Sequence, residues 1–261
     1  IAGACLIPLY GCDNGPKVSE ICQEHTKICA DLQEDNWCRK ERREVLVNYD
    51  KLNKDSQDNN KYALLLTYET YAKCMDKASL IEHKKLKEKK SIRINNAINA
   101  KSRIKEMSLE TSNSENALLL YYQWSRFNDK TALNKLLALE GTSEVETPDT
   151  QFNLATYYVK RNPAKTLTFL FHALELYKPE EPINIEIFKS LTTLFSEQGK
   201  YKHAYIWLKV LELYAPSDKE FNKQALEQYI RQHKLNKDFL DQVAESTLDN
   251  ILEGTFVTPK H

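Results

Sequence analysis

Apolar and polar residues follow one another along most of this chain at the three- and four-residue steps of an amphipathic α-helix. The longest such run extends from about residue 60 to residue 108 and contains no proline or glycine. Its apolar positions are Leu65, Leu66, Cys74, Ala78, Ile81, Ile94, Ala97, Ile98 and Ile104. The pattern predicts one long helix with these residues on its inner face, and the length of the run predicts a break near residues 89–91.

Shorter amphipathic stretches follow between residues 114 and 252, separated by polar turns. Glycine occurs only six times among the 261 residues, valine is sparse, and Leu, Lys, Glu, Ala and Tyr are common. This mixture favours helix over sheet. The sequence therefore predicts an all-α fold.

A near-duplicate lies in the second half of the chain. The sequence Leu-Glu-Leu-Tyr-Lys-Pro at 174–179 returns 37 residues later as Leu-Glu-Leu-Tyr-Ala-Pro at 211–216. The same register pairs Leu154 with Leu191, Tyr158 with Phe195, Leu167 with Ala204, and Phe171 with Leu208. A fixed period of this length indicates repeats that bury their apolar faces by stacking on one another.

The second of these units resembles a tetratricopeptide repeat, a pair of antiparallel helices of about 34 residues. Gly199 stands at the turn, Ala204 allows the two helices to approach, and Pro216 closes the unit. The first unit departs from the pattern, since Leu167 replaces the small residue and Pro163 follows the turn in place of glycine. The resemblance implies an α-solenoid in which the first helix of each repeat lines a groove for a partner.

By register, this resemblance implies a partner groove lined by Tyr122, Arg126, Phe152, Thr156, Val159, Lys160, Glu186, Lys189, Thr193 and Ser196. Such a mixture of aromatic, aliphatic and charged side chains suits a peptide or an extended strand of a protein partner. The alternative is an ordinary helix surface that is too shallow to bind a partner.

These patterns divide the chain into four regions. The expected regions are a short apolar segment at 1–11 that resembles the remnant of a signal peptide, an irregular Cys-containing segment at 12–60, a long basic helical region at 61–110, and a tetratricopeptide-like helical-repeat domain with C-terminal capping helices at 111–261.

The first residues resemble the end of a bacterial lipoprotein signal peptide. Leu9 and Gly11 precede Cys12 as in the lipobox, whereas Tyr10 departs from it. The resemblance implies that Cys12 is lipidated and that the protein lies on the periplasmic side of the cell envelope, at the inner or the outer membrane. The alternative is a short buried apolar segment with a free cysteine.

Four cysteines remain when Cys5 and Cys12 are set aside, and an exported chain would meet an oxidising compartment. Cys22, Cys29, Cys38 and Cys74 allow three pairings, of which we favour Cys22–Cys29 with Cys38–Cys74. A zinc site is the rival interpretation, but the chain has no Cys-x-x-Cys motif and His25 alone supplies no pair of ligands. We therefore predict two disulfides and no metal.

The net charge is zero, but its distribution is uneven. Residues 72–107 contain eleven Lys or Arg but only four Asp or Glu. The predicted basic face consists of Lys84, Lys85, Lys87, Lys89, Lys90 and Arg93. A solvated helix face is the simplest interpretation, followed by contact with anionic lipid headgroups. Nucleic acid is not expected, because the run lacks aromatic residues for stacking.

The motifs of common catalytic sites are missing from the sequence. Clustered glycines that could hold a phosphate, a Gly-x-Ser-x-Gly turn and a His-Glu-x-x-His helix do not occur, and the six histidines are scattered. We expect no cofactor and no enzymatic activity. A pair of carboxylates assembled by the fold would leave no such signature, so an enzyme acting on cell-wall polymer stays an alternative.

The lipobox-like start, the early cysteines, the basic helix and the repeat-like second half together resemble a family of uncharacterised Gram-negative lipoproteins. This resemblance implies location and fold but no chemistry. The expected function is a membrane-anchored periplasmic scaffold that binds another protein, whose identity the residues do not indicate. An assembly helper, similar to a pilotin, for a secretion, pilus or motility apparatus is the alternative within the same class.

Overall fold

The computed structural model describes residues 16–82, 87–218 and 223–259. Cys12 and the side chains of Lys84, Lys85 and Lys87 lie outside the described part. Within it, the chain forms thirteen α-helices and one 3-10 turn and no strand, which confirms the all-α prediction. The helices are α1 Val18–Glu24, α2 Thr26–Asp31, α3 Arg39–Lys54, α4 Asp58–Ser79, α5 Lys87–Glu110, α6 Ala117–Phe127, α7 Lys130–Ala138, α8 Pro148–Tyr158, α9 Pro163–Glu175, α10 Glu186–Glu197, α11 Tyr201–Tyr214, α12 Lys223–His233 and α13 Lys237–Leu252.

The chain forms two compact units, Ile1–Gln123 and Trp124–His261. The predicted boundary after residue 110 differs from this one, because the first half of α6 belongs to the first unit. Leu118 and Leu119 are buried in the core of that unit together with residues of α3 and α4.

The N-terminal segment expected to be irregular is helical over most of its described length, so that expectation was wrong. Helices α1, α2 and α3 each turn apolar residues inward, among them Ile21, Ile28, Val45 and Leu46, all of which are buried. Helices this short are marginal alone, and they persist here because they pack on α4 and α5.

Two disulfides hold the first unit together, in the pairing that the sequence analysis favours. Cys22 in α1 is joined to Cys29 in α2, with their Cα atoms 5.6 Å apart. Cys38, at the start of α3, is joined to Cys74 in α4 across 6.0 Å. Each bond restricts the unfolded chain and typically contributes about 2–4 kcal/mol to stability.

The predicted long helix is two helices, α4 and α5, which pack against each other in antiparallel orientation. The break predicted near residues 89–91 was misplaced, since α4 ends at Ser79 and α5 already includes residues 89–91. The break also changes which face of α5 points inward. Ala97 and Ala100 are buried, whereas Ile94 and Ile98, predicted to face inward, are 40% and 58% exposed.

A buried ion pair fastens the chain between α2 and α3 to the α4–α5 pair. The guanidinium of Arg93, 1% exposed, contacts the fully buried carboxylate of Asp35 and donates to the carbonyl oxygen of Ala78 at 3.0 Å. One turn further along α5, the amide of Asn96 exchanges hydrogen bonds of 2.9 and 2.7 Å with the backbone of Gln33. Arg93 was predicted on an exposed basic face, and the structure shows that it is a core residue.

The second unit is built from helix pairs. Helix α8 packs on α9, α10 packs on α11, and α13 also packs on α11. Large side chains fill the interior, including Phe171, Phe188 and Trp207, and the chain after α13 adds Phe256. Phe256 lies with its ring centroid 6.4 Å from that of Phe171 and 6.3 Å from that of Trp207.

The near-duplicate motifs have a common structural role. Leu174 and Leu211 are both buried at the ends of α9 and α11. Both tyrosines of the motifs hold the connection before α10: the hydroxyl of Tyr177 accepts from the backbone N–H of Asn184 at 2.9 Å, and that of Tyr214 accepts from Ile183 at 2.8 Å.

Among the helices that the structure describes, none combines the length and the apolar character that crossing a membrane requires.

The ion pair between Arg93 and Asp35 predicts a large effect of a single substitution. Arg93→Met should lower the free energy of unfolding by about 3–5 kcal/mol, because it leaves a buried carboxylate without its cation. Removing both charges in Asp35→Leu/Arg93→Met should cost less than the single change. Chemical denaturation measures both, with Lys105→Met on the exposed face of α5 as the control, for which a change within about 0.5 kcal/mol is expected. A single variant no less stable than this control would refute the role given to the pair.

Candidate functional site

The predicted groove residues divide between the two units. Tyr122 belongs to the core of the first unit, where it is 1% exposed and its hydroxyl donates to Glu69 at 3.0 Å. It cannot line an open groove, so this assignment was wrong. Arg126 lies beyond the boundary between the units and is exposed. The repeat register failed here because α6 covers the core of the first unit.

On α8, the predicted residues do come together. Phe152, Thr156 and Val159 line one shallow depression of about 120 Å³. Ser190 of α10 closes one side of the depression, and Thr166 and Leu170 of α9 contribute to its lining. Val159 is 40% exposed, which is high for a valine and puts an apolar surface within reach of a partner. We call this depression and the exposed faces of α8 and α10 beside it the α8–α10 surface.

The remaining predicted residues of α10 lie along the same helix. Lys189 is held by Glu186 at 3.0 Å and by Asp218 at 3.3 Å, so its charge is compensated within the chain. Thr193 is exposed. The hydroxyl of Ser196 lies 3.2 Å from that of Tyr229, which connects α10 to α12. Lys160, just after α8, is also exposed.

A second and larger cleft, of about 820 Å³, lies along the outer side of α9. Its lining is mostly apolar and comes from α9, the turn between α10 and α11, and the C-terminal Thr258. Sequence reasoning missed this cleft, since the C-terminal segment that forms one side of it carries no recognisable pattern.

The cleft contains a histidine held between two carboxylates. Nε2 of His172 lies 2.7 Å from Glu146, and Nδ1 lies 3.0 Å from Glu175. The other oxygen of Glu175 accepts from the backbone N–H of Thr258 at 2.7 Å and from its hydroxyl at 2.6 Å. Burial alone would lower the pKa of His172, but the two carboxylates outweigh it and raise this pKa above the ordinary 6.5. The arrangement fastens the C-terminal segment to α9.

A polar pocket of about 310 Å³ lies in the first unit, between α2, α3, α4 and α5. Both charge signs are present in its lining, with Lys27 and Arg103 near Asp31 and Glu106. Tyr68 lies at its inner side, and burial raises the pKa of this phenol to about 12. The group is therefore a neutral hydrogen-bonding hydroxyl at physiological pH.

Among the residues of the first unit that the structure describes, two groups of side chains have the spacing of metal ligands. In one, Cys38 and Cys74 lie near Glu41, but the disulfide removes both sulfurs as ligands. The other combines an imidazole with two carboxylates and consists of Glu24, His25 and Asp50.

The predicted basic face is largely compensated where the structure describes it. Lys90 lies 3.2 Å from Glu82, and Arg93 is buried against Asp35. Lys89 is half-buried. The stretch is basic in sequence, but Lys90 and Arg93 each pair with a carboxylate that lies elsewhere in the sequence.

Over the described residues, the geometry defines an all-α protein with two disulfides. A sequence profile described as "Protein of unknown function (DUF2989)" matches residues 9–209. The chain belongs to this uncharacterised family. No curated protein and no solved structure matches it.

Because the pKa of His172 is raised in the folded protein, this histidine should stabilise the fold more at low pH than at high pH. A group whose pKa is higher in the folded than in the unfolded chain stabilises fully below its unfolded pKa, here about 6.5. The contribution is lost as the pH rises through the folded pKa. The melting temperature of the native protein should therefore fall as the pH rises above about 6.5, and His172→Gln should remove this part of the fall.

A matched control is His233→Gln, because the ring of His233 packs on Tyr201 and Tyr229 rather than on carboxylates. This variant should keep the native pH profile. Identical profiles for His172→Gln and the native protein would show that the two carboxylates do not stabilise the protonated imidazole.

Proposed function

We propose that this protein is a non-enzymatic scaffold, held at a membrane of the bacterial cell envelope on the periplasmic side, which docks an extended segment of another protein on the α8–α10 surface. The observation that carries this proposal is the common depression formed by Phe152, Thr156 and Val159. These three residues were assigned to one face by the repeat register alone, and Ser190 from the next helix pair completes the wall.

The chemistry of the surface supports a protein segment as the occupant. The depression is lined by an aromatic ring and aliphatic groups, and exposed polar positions such as Lys160 and Thr193 lie beyond it. Binding surfaces for peptides combine apolar pockets with polar surroundings in this way. Recognition here would begin with one apolar side chain of the partner.

One apolar side chain buried in the depression does not produce a stable complex. Burying a Val, Leu or Phe side chain contributes about 1.5–3 kcal/mol, whereas even a millimolar complex requires about 4 kcal/mol. The partner must therefore also contact the exposed faces of α8 and α10, and an extended segment covers both. A shared membrane would further raise the effective concentration of the two proteins.

The envelope location is supported by two features of the chain. Disulfides persist in exported proteins and are rare in the reducing cytosol, and the described part of this chain contains two. The lipobox-like sequence around Cys12 provides the anchor. The two features are independent of each other, since they involve different cysteines.

The docking surface predicts where a partner can be captured. A photo-crosslinking residue at Lys160 or at Thr193, introduced separately in intact cells, should capture the same protein, whereas one at the exposed Lys202 on α11 should not. Mass spectrometry identifies the captured bands. Val159→Asp should reduce the yield at both positions, because it places a charge in the apolar depression. Capture of unrelated proteins at the two positions, or equal capture at Lys202, would overturn the proposal.

The proposed lipid anchor at Cys12 predicts in which cell fraction the protein is found. Cys12→Ser should move the protein from the membrane fraction to the soluble periplasmic fraction, because each methylene of a lost acyl chain contributed about 0.8 kcal/mol to membrane binding. Cys5→Ser, which leaves Cys12 intact, is the matched control and should stay in the membrane fraction. A Cys12→Ser protein that remains fully bound to membranes would refute the lipid anchor.

A further inference from the structure

Three potential metal ligands converge in the first unit, whereas the α8–α10 surface belongs to the second unit. Glu24, His25 and Asp50 each bring one ligand atom within 4.8 Å of the others. Nε2 of His25 lies 3.4 Å from Oδ1 of Asp50. Two ligand atoms at about 2.1 Å from one tetrahedral zinc ion are about 3.4 Å apart, so this pair already has the required separation.

The Asp50 carboxylate is poorly satisfied at the oxygen that faces this cluster. Its side chain is only 5% exposed. Oδ2 accepts from the ammonium of Lys54 at 2.8 Å. At Oδ1 the hydrogen bond within the described chain is the 3.4 Å contact with His25, longer than the usual ~2.9 Å. A buried carboxylate oxygen with one weak contact indicates a missing partner, and a cation would supply it.

The fold holds His25 and Asp50 in place before any ion binds, whereas Glu24 is the exposed last residue of α1. His25 is the residue between α1 and α2, inside the loop that the Cys22–Cys29 disulfide closes. Its ring packs edge-to-face on Tyr49 of α3, with centroids 5.2 Å apart. Asp50 follows Tyr49 on the same helix. A preformed pair of ligands loses little conformational freedom when the ion binds.

We propose that Glu24, His25 and Asp50 form a binding site for a divalent transition metal, with Zn²⁺ as the expected ion and water as the fourth ligand. Imidazole with carboxylates suits zinc, whereas Mg²⁺ and Ca²⁺ prefer oxygen ligands throughout. Lys54 competes with the ion. Its ammonium compensates Asp50 in the metal-free protein, and its 65% exposed side chain is free to move into solvent.

The full chain, with both disulfides formed and metal removed by a chelator, tests this site. Titration with Zn²⁺ in competition with a chromophoric chelator should reveal one saturable site per chain, which an excess of Mg²⁺ does not displace. Glu24→Gln should weaken Zn²⁺ binding by about 10–100-fold. Lys54→Met should strengthen it about threefold to tenfold, since it removes a nearby like charge.

Glu44→Gln is the matched control, because Glu44 is a half-exposed carboxylate on α3 that faces Lys40 rather than the cluster. It should leave Zn²⁺ affinity unchanged. The opposite signs expected for Glu24→Gln and Lys54→Met distinguish this site from adventitious binding at surface carboxylates. No saturable binding, equal effects of Glu24→Gln and Glu44→Gln, or weaker binding by Lys54→Met would each overturn the proposal.

Discussion

Pairing of helices across apolar faces is the constraint on which both units depend. Most of the helices have fewer than 15 residues and would be marginal in water alone. Each is stable because it buries one face against a neighbour, as α8 does against α9 and α10 does against α11. In the first unit this packing is supplemented by two disulfides and by polar groups of α5, where Arg93 and Asn96 hold the chain that precedes α3.

Local periodicity predicted the helices well where the apolar residues are close in sequence. The second-unit pairs and the buried Leu154 and Leu191 follow from the 37-residue register. The same reasoning failed across the break between α4 and α5. Ile98 was assigned to the inner face of one continuous helix, but it lies in α5, where its side chain is exposed. Arg93 was misassigned for a different reason. A buried cation needs a carboxylate, and Asp35 lies 58 residues away in sequence.

The candidate sites show the same contrast between residues that are close in sequence and residues that only the tertiary structure brings together. The depression on α8 could be predicted because Phe152 and Thr156 belong to one helix and Val159 is its C-cap, at a fixed repeat spacing. The cluster of Glu24, His25 and Asp50 could not be predicted, because Asp50 reaches His25 only through the packing of α1 on α3. The sequence argument against a zinc site rested on the missing Cys-x-x-Cys motif and on His25 alone supplying no pair of ligands, and the tertiary structure brings Asp50 to 3.4 Å from His25. The adjacent Glu24 was the one local signal available.

The pairing of lysines with carboxylates on α5 bears on how the proposed membrane attachment would work. A surface that binds anionic headgroups needs cations without carboxylate partners, each contributing about 1 kcal/mol. In the described part of α5, Lys90 and Lys101 pair with carboxylates of the chain, at 3.2 and 2.7 Å. Such exposed pairs are individually weak, yet they reduce the field that a lipid surface would experience. Under the proposed function, attachment therefore depends chiefly on acylation of Cys12, and salt should release the protein far less effectively than loss of that cysteine.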